Sequence, residues 1–439
     1  TKVSSLSEGA PALKEGLLNE TPTIVAPSEK TPQDTEISNT KYENKILELV
    51  QNSPEVYETL KNVGLSEWEI AKIKSETGFQ LNASSSGGYR LASNLPRTHR
   101  RYSEEDKFVD LTIRLSKRLY DAGTASARIR AETKRKQAKV LEYNKALRSS
   151  FFTALRLGYL ALSAKSQLTS IDEAIKTVKE RRKSEEKRYL SGTGTSANLK
   201  ELDLLAIDLI TEKQVKNLEL ENSVNEFYNR FDANFEDYSQ DIEKFNILDI
   251  NEKVEDIVHL LDSVKIFDYQ LEALDQDIIS TKSSNKPQLN LNITTNLYDV
   301  QSSYLQNYEL NGGMDLQFPI FDSGVQENNV RALVTRKEII VHQKQKETDR
   351  LLTKSKTVLN TISNAESKIE ASEYKINQIQ MKLEQLKLRS SNMVASGLEI
   401  AKSEFRISAL EREKMELFWN IRLAQAEKAL IKETLISEL

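Results

Sequence analysis

The chain of 439 residues has no cysteine, which excludes disulfides, thiol nucleophiles and cysteine-built zinc sites. Prolines number 8 and glycines 14, and Pro11, Pro22, Pro27 and Pro32 all fall near the start, so most of the chain lacks helix breakers. Only 7% of residues are aromatic and 38% hydrophobic, too few for a thick globular core but enough for long helices with narrow apolar stripes. No apolar run is long enough for a transmembrane helix; the best stretch, Phe151 to Ala164, is interrupted by Arg156. A membrane strand barrel is not excluded, because its signal is alternation. The net charge is −4, from 62 basic and 66 acidic residues, without the basic surplus of a nucleic-acid binder. His99, His259 and His342 are isolated from one another, with no metal-ligand spacing. There is no phosphate loop of the G-x-x-x-x-G-K-[ST] kind and no Ser/His/Asp arrangement. The reading is of a non-enzyme without a cofactor or metal. A chain that opens on Thr1 is expected to have been processed, with a secretory signal outside it.

What is present is written twice. Ile113-Arg-Leu-Ser-Lys-Arg-Leu-Tyr-Asp-Ala-Gly123 aligns with Met314-Asp-Leu-Gln-Phe-Pro-Ile-Phe-Asp-Ser-Gly324, 201 positions later. At the same offset Arg130-Ala131 matches Arg331-Ala332, Arg135-Lys136 matches Arg336-Lys337, and Arg188 matches Arg389. A constant offset over that span implies two copies with elements of equal length. The expected division is a Pro-rich extension over 1–40, a first repeat over 41–263 and a second over 264–439. Each copy opens with a poorly patterned helix: Asn44 to Lys61 and Glu67 to Ser75 in the first, Val264 to Ser280 in the second.

Four segments then alternate with period two, the mark of a strand with two unlike faces. They lie at about 79–90, 108–120, 288–298 and 309–321. In the second, Leu111, Ile113, Leu115, Lys117 and Leu119 alternate with Asp110, Thr112, Arg114, Ser116 and Arg118. Their lengths suit a tilted strand crossing a bilayer. Nothing else in the chain forms a sheet that could bury them, which favours lipid on one side and water on the other. Asp110, Arg114, Arg118, Asn290, Asn292, Asp315 and Gln317 are the expected water-facing set. Tyr89, Tyr102, Phe108, Tyr120, Tyr298, Tyr304, Tyr308 and Phe321 at strand ends suit an aromatic girdle or ordinary strand-end packing. Four strands cannot close a barrel, and open edges are not tolerated in hydrocarbon, so an oligomer is required; three chains would bring twelve strands.

Each copy continues into a very long helix, 124–190 and 325–391, of roughly 100 Å at ~1.5 Å per residue. Apolar residues recur every seven: Leu147, Ala154, Ala161, Leu168 and Ile175, beside Leu157, Ala164, Ile171 and Val178. The second copy repeats this with Leu351, Val358, Ala365, Ser372, Ile379 and Leu386, beside Ile362, Ile369, Ile376 and Leu383. Sustained heptads predict a left-handed supercoil. The helices break at Ser191-Gly-Thr-Gly-Thr-Ser196 and Asn392-Met-Val-Ala-Ser-Gly397, and return helices are expected at 199–230 and 399–439. Residues 231–263 are expected to fill the length that the shorter return helix leaves.

Tyr120-Asp-Ala-Gly123 and Phe318-Pro-Ile-Phe-Asp-Ser-Gly324 resemble the P-L-F/Y-D-x-G signature of the TolC family of outer-membrane channels, and Lys286-Pro-Gln-Leu-Asn-Leu291 resembles the start of its strands. The resemblance spans roughly residues 42–439. It implies a mainly α protein with a membrane β-barrel part, internally duplicated, closing in a homotrimer as a 12-stranded barrel continued by an α-helical tunnel. Asp121, Gly123, Pro319, Asp322 and Gly324 would form the strand-to-helix hinges. The tips, Gly192, Thr193, Gly194 and Ser196 with Met393, Val394, Ala395, Ser396 and Gly397, would dock a periplasmic adaptor joined to an inner-membrane ABC or proton-driven pump. The chain would then be an exit duct in the outer membrane of a Gram-negative bacterium, conducting secreted proteins or small molecules and binding no nucleic acid. The family closes its periplasmic end with two acids three residues apart. Glu399 fills the first place, Lys402 stands in the second, Glu404 is nearby, and Asn198 and Glu201 are the first-copy equivalents. The plainer role for Glu399 is a solvated acid on a helix N-terminus. Two departures stand out: Arg118 replaces the first-copy proline, and Gly78-Phe79 lacks the proline before the first strand. A structural coiled-coil protein and a periplasmic adaptor with a helical hairpin are the competing readings.

Overall fold

The computed structural model describes residues 34–89, 107–247, 253–298, 300, 307–391 and 397–436. Helices α1 (Asp34–Gln51) and α2 (Pro54–Glu76) precede strands β1 (Gln80–Tyr89) and β2 (Lys107–Tyr120). The first hairpin is α3 (Thr124–Leu190) and α4 (Ser196–Phe231). Short helices α5 (Ser239–Lys244) and α6 (Val254–Ile257) lead to α7 (Asp262–Ser283), strands β3 (Gln288–Tyr298) and β4 (Asn307–Gln317), and the second hairpin, α8 (Val325–Ser391) and α9 (Gly397–Ile431).

Several expected boundaries move. The first-copy helices expected at 44–61 and 67–75 are instead divided at 52–53, and α2 runs unbroken through 62–66. The Pro-rich extension was expected to run to 40, but α1 already begins at Asp34, residues 1–33 lying outside the described ones; Pro54 then starts α2, at a helix position that needs no N–H donor. Strand β4 stops at Gln317 instead of 321, because Pro319 has no N–H for a ladder; the first copy carries Arg118 in its place, and β2 continues to Tyr120. Helix α9 ends at Ile431, well before 439. Glu433 takes a left-handed conformation (φ 60°), its N–H donates to Leu430 O and that of Thr434 to Ala429 O, which caps the helix and turns Leu435 and Ile436 into the core.

The four strands form one antiparallel sheet in the order β1-β2-β3-β4. Register puts Leu81, Leu115, Ile293 and Gly312 in one row of one face, and Asn82, Arg114, Thr294 and Asn311 in one row of the other. All seven residues expected to face water share that second, polar face. Tyr298 belongs to it too: it is buried and donates to Glu309 Oε2 at 3.0 Å, so it is no girdle residue. A bulge between Arg118 and Tyr120 sets Tyr120 opposite Leu289 and so carries it to the apolar face. Tyr102 and Tyr304 lie outside the described residues, as does the side chain of Phe108.

The helices continue the sheet as four columns. Helix α3 has α2 and α7 beside its first half and α4 and α9 beside its second, while α8 packs against α7 and then α9. Ion pairs mark the same seams: Arg128–Glu76 and Lys136–Glu67 to α2, Lys337–Asp275 and Lys344–Asp268 between α8 and α7, and Lys414–Glu373 between α9 and α8. The column order matches the strand order, since β1 follows α2, β2 feeds α3, β3 follows α7 and β4 feeds α8. Among the described residues no helix is long and apolar enough to cross a membrane.

The heptad residues of α3 are buried from Leu147 to Val178, Leu168 only in part. The largest core lies at mid-length, where Phe151, Phe227, Phe235 and Phe245 gather α1, α5 and the ends of α4 and α9 onto α3. Gly158, the one glycine in α3, sits under α5. A Cβ there would fall 2.6 Å from Ile242 Cγ2, so the glycine is required by the close approach. Gly158→Ala is expected to lower stability by about 1–3 kcal/mol through overpacking, against a gain in helix propensity of about 1 kcal/mol. Thermal unfolding checks this; a raised melting temperature would refute the close packing of Ile242.

Candidate functional site

The chain changes from strand to helix twice, by the same device. At the first junction Asp121 Oδ1 accepts from Gly123 N at 3.0 Å and Oδ2 from Ala125 N at 2.7 Å. At the second Asp322 Oδ1 accepts from Gly324 N at 2.9 Å and Oδ2 from Gln326 N at 3.0 Å. The residues between are left-handed: Ala122 φ 55° and Gly123 φ 85°, Ser323 φ 54° and Gly324 φ 82°. A left-handed non-glycine costs about 1–2 kcal/mol, which the carboxylate offsets by satisfying two donors at a positive helix end. This accounts for the D-x-G spacing. The second junction is braced by the end of α7 and the turn after it: Asn285 Nδ2 donates to Asp322 Oδ2 at 3.1 Å, and Gln326 Nε2 to the carbonyls of Thr281 and Lys282. The Asn285 amide first, and then the N–H groups of Gln326 and Gly324, hold the Asp322 carboxyl below the usual aspartate range. Pro319 lies between the end of β4 and this junction.

At the far end, the first tip is a capped helix terminus. Gly192 (φ 78°) donates to Tyr189 O and Thr193 N to Arg188 O, which ends α3. Gly194 comes so close to α3 that a Cβ would lie 2.8 Å from Tyr189 N. Thr195 Oγ1 accepts from Asn198 N at 3.3 Å and starts α4 with Ser196 at its first position. Of the second tip, Met393, Val394, Ala395 and Ser396 lie outside the described residues, and Gly397 opens α9.

The expected gate residues divide. Lys402, in the place of an acid, forms an ion pair with Glu201 of α4. Glu404 faces α3, where Arg181 Nε and Nη2 grip its two oxygens at 2.9 and 2.7 Å. Glu399 is solvent-exposed in the first turn of α9. Glu201 and Glu404 are therefore both neutralised between the hairpins of one chain. Sequence reasoning missed the partners. Arg412 of α9, itself buried, binds Glu212 of α4 through two hydrogen bonds of 2.9 and 3.1 Å. Glu185 of α3 is fully buried, accepts from Asn198 Nδ2 at 2.9 Å, and sits where a Cβ on Gly397 would come within 2.9 Å of its Oε2. Its signal was available: Glu185 falls seven residues after Val178, on the apolar seam of Leu157, Ala164 and Ile171. Among the described residues no cluster could hold a metal ion.

A four-stranded sheet continued by four helical columns, with duplicated hinges and paired hairpin tips, is the fold of outer-membrane channel proteins. The chain is similar to VceC of Vibrio cholerae, an outer membrane protein, at 16% identity and a TM-score of 0.75, covering 92% of this chain and 98% of that one. It is similar to the CmeC outer membrane channel of Campylobacter jejuni at 13% identity and a TM-score of 0.75, covering 94% and 95%. The open state of the Neisseria gonorrhoeae MtrE outer membrane channel matches at 12% identity and a TM-score of 0.66, covering 90% of each chain. No family profile and no curated protein sequence matches the chain.

The hinge is expected to show in the pH dependence of stability. A carboxyl depressed on folding contributes stability that is fully present above its unfolded pKa, about 3.9, and is lost as pH falls through its folded value. Asp322→Asn should therefore melt below wild type at pH 6, with the gap closing as pH drops below about 4. A gap independent of pH would sink the assignment.

Proposed function

We propose that the chain is one protomer of a homotrimeric, TolC-type exit duct in the outer membrane of a Gram-negative bacterium. The observation that carries this is that both sides of the protomer are unfinished in the same order. Edge strands β1 and β4 leave unpaired N–H and C=O groups. Below them, α4 exposes Leu204, Ile207 and Leu218, and α8 exposes Tyr374, Met381 and Leu388 at seven-residue spacing. An edge that meets the opposite edge of the next copy forms a head-to-tail ring, which closes without leaving a free edge. Three copies bring twelve strands, an even number within the barrel range. The apolar face of the sheet then meets lipid and the polar face a water-filled lumen.

The helical hairpins extend ~100 Å from the sheet as the wall of a periplasmic tunnel. Their tips dock a periplasmic adaptor, with Leu190, 79% exposed beside the first tip, as an apolar contact. The sequence carries no phosphate loop of the G-x-x-x-x-G-K-[ST] kind, and cargo is driven by an inner-membrane ABC or proton-driven pump. Secreted proteins and small molecules both fit a passive conduit. Glu399 is the residue most able to form an acidic ring at the tunnel end; the Lys402–Glu201 and Arg181–Glu404 pairs hold the second hairpin against the first and keep that end narrow.

The protein is expected to remain in the membrane fraction until detergent is added and to run as a heat-sensitive oligomer; a soluble monomer or dimer would overturn the proposal. Glu201→Gln with Glu404→Gln should raise single-channel conductance in planar bilayers severalfold. Unchanged conductance would remove these pairs from the gate.

A further inference from the structure

The polar face of the sheet carries its charges in order. Asp110 and Glu309 lie towards the end away from the helices; Arg114 and Arg118, with the single acid Asp315, lie towards the hinges. Register gives each charge its row. The row of Arg114 holds Asn82, Thr294 and Asn311, with no acid. That of Arg118 holds Asn290 and, two strands away, Asp315. Asp315 already accepts a hydrogen bond from Asn292, and Glu309 takes the Tyr298 hydroxyl. Arg114 is exposed, and neither arginine has an ion-pair partner among the described residues.

Distance keeps the two ends electrically separate. Arg114 and Asp110 are four residues apart on one strand, roughly 13 Å. Asp315 is about 10 Å from Arg118 across two strands. The screening length at physiological salt is about 8 Å. Arginine stays charged at every physiological pH, so this zone does not titrate away. A ring of copies would repeat each arginine around the lumen, and rings of one charge sign select.

We propose that the hinge-side half of the barrel lumen is a cationic zone, made by Arg114 and Arg118, that favours negatively charged solutes. It rests on the barrel reading and adds the charge class of the cargo to it. The acidic residues of the tunnel end and those of the outer mouth would then bracket a positive segment. An anionic solute that passes the first is drawn forward into the barrel.

The absence of cysteine from these 439 residues allows a direct test in native outer membranes. Thr294→Cys places a thiol in the row of Arg114, and Ile293→Cys places one on the opposite face. Each is treated from outside with a sulfonate-bearing and a trimethylammonium-bearing methanethiosulfonate. Thr294→Cys should react with both, and faster with the sulfonate. Adding Arg114→Gln should lower the sulfonate-to-ammonium rate ratio about threefold at physiological salt, and less at high salt. The same pair of measurements at Asn290→Cys, with and without Arg118→Gln, tests the second arginine. A ratio unmoved by removal of either arginine, in a thiol that does react, overturns the cationic zone and leaves the barrel standing. Protection of Thr294→Cys from both reagents, or equal labelling of Ile293→Cys, takes down the barrel reading and this proposal with it.

Discussion

Two carboxylates hold this protein together at its change of architecture. Asp121 and Asp322 each take two backbone N–H groups where the chain leaves a strand and enters a helix of 67 residues. The turn needs successive left-handed residues, and without a local acceptor those amides would stay unpaired at a helix N-terminus. With the acceptor in place, the helix leaves along the line of its strand. The column order then copies the strand order. Everything further down depends on that alignment: α7 bracing the second junction, the mid-length core on α3, and the contacts between hairpins near the tips.

The columns are not held uniformly. Their middle contains aromatic packing on α3, close enough that Gly158 has no room for a side chain. Towards the tips the apolar clusters shrink to a few residues each, and ion pairs between hairpins take a growing share. Exposed and half-exposed ion pairs are individually weak, about 0–1 kcal/mol. The tip contacts join such pairs to two buried charges, Glu185 and Arg412. The apolar packing is thus graded along the length, thinnest towards the tips.

Much of the fold is legible in sequence because its periods are long and regular. Alternation marked the four strands, heptads marked α3 and α8, and a single offset tied the copies together. The D-x-G pairs pointed to the hinges because their chemistry is local: the carboxylate bonds residues two and four positions on. The misses are of another kind. The early end of β4 follows from one proline, but the turn of Leu435 and Ile436 into the core depends on Glu433 reaching the amides of Asp262 and Ser263, some 170 residues away. Glu201, Lys402 and Glu404 were all named from the sequence, whereas the pairing of Lys402 with Glu201 and of Glu404 with Arg181 exists only after the hairpins pack.

The sequence alone therefore determined the four strands with their two unlike faces, the two long helices and the hinges that join them, since these are set by interactions within a few residues. Tertiary structure decided which charges meet. It buried Tyr298 on the polar face, paired Lys402 with Glu201 and Glu404 with Arg181 across the hairpins, buried Glu185, and left Arg114 in a row without an acid. Those outcomes depend on strand register and on the order of the columns, which come from packing between distant segments and have no local signature.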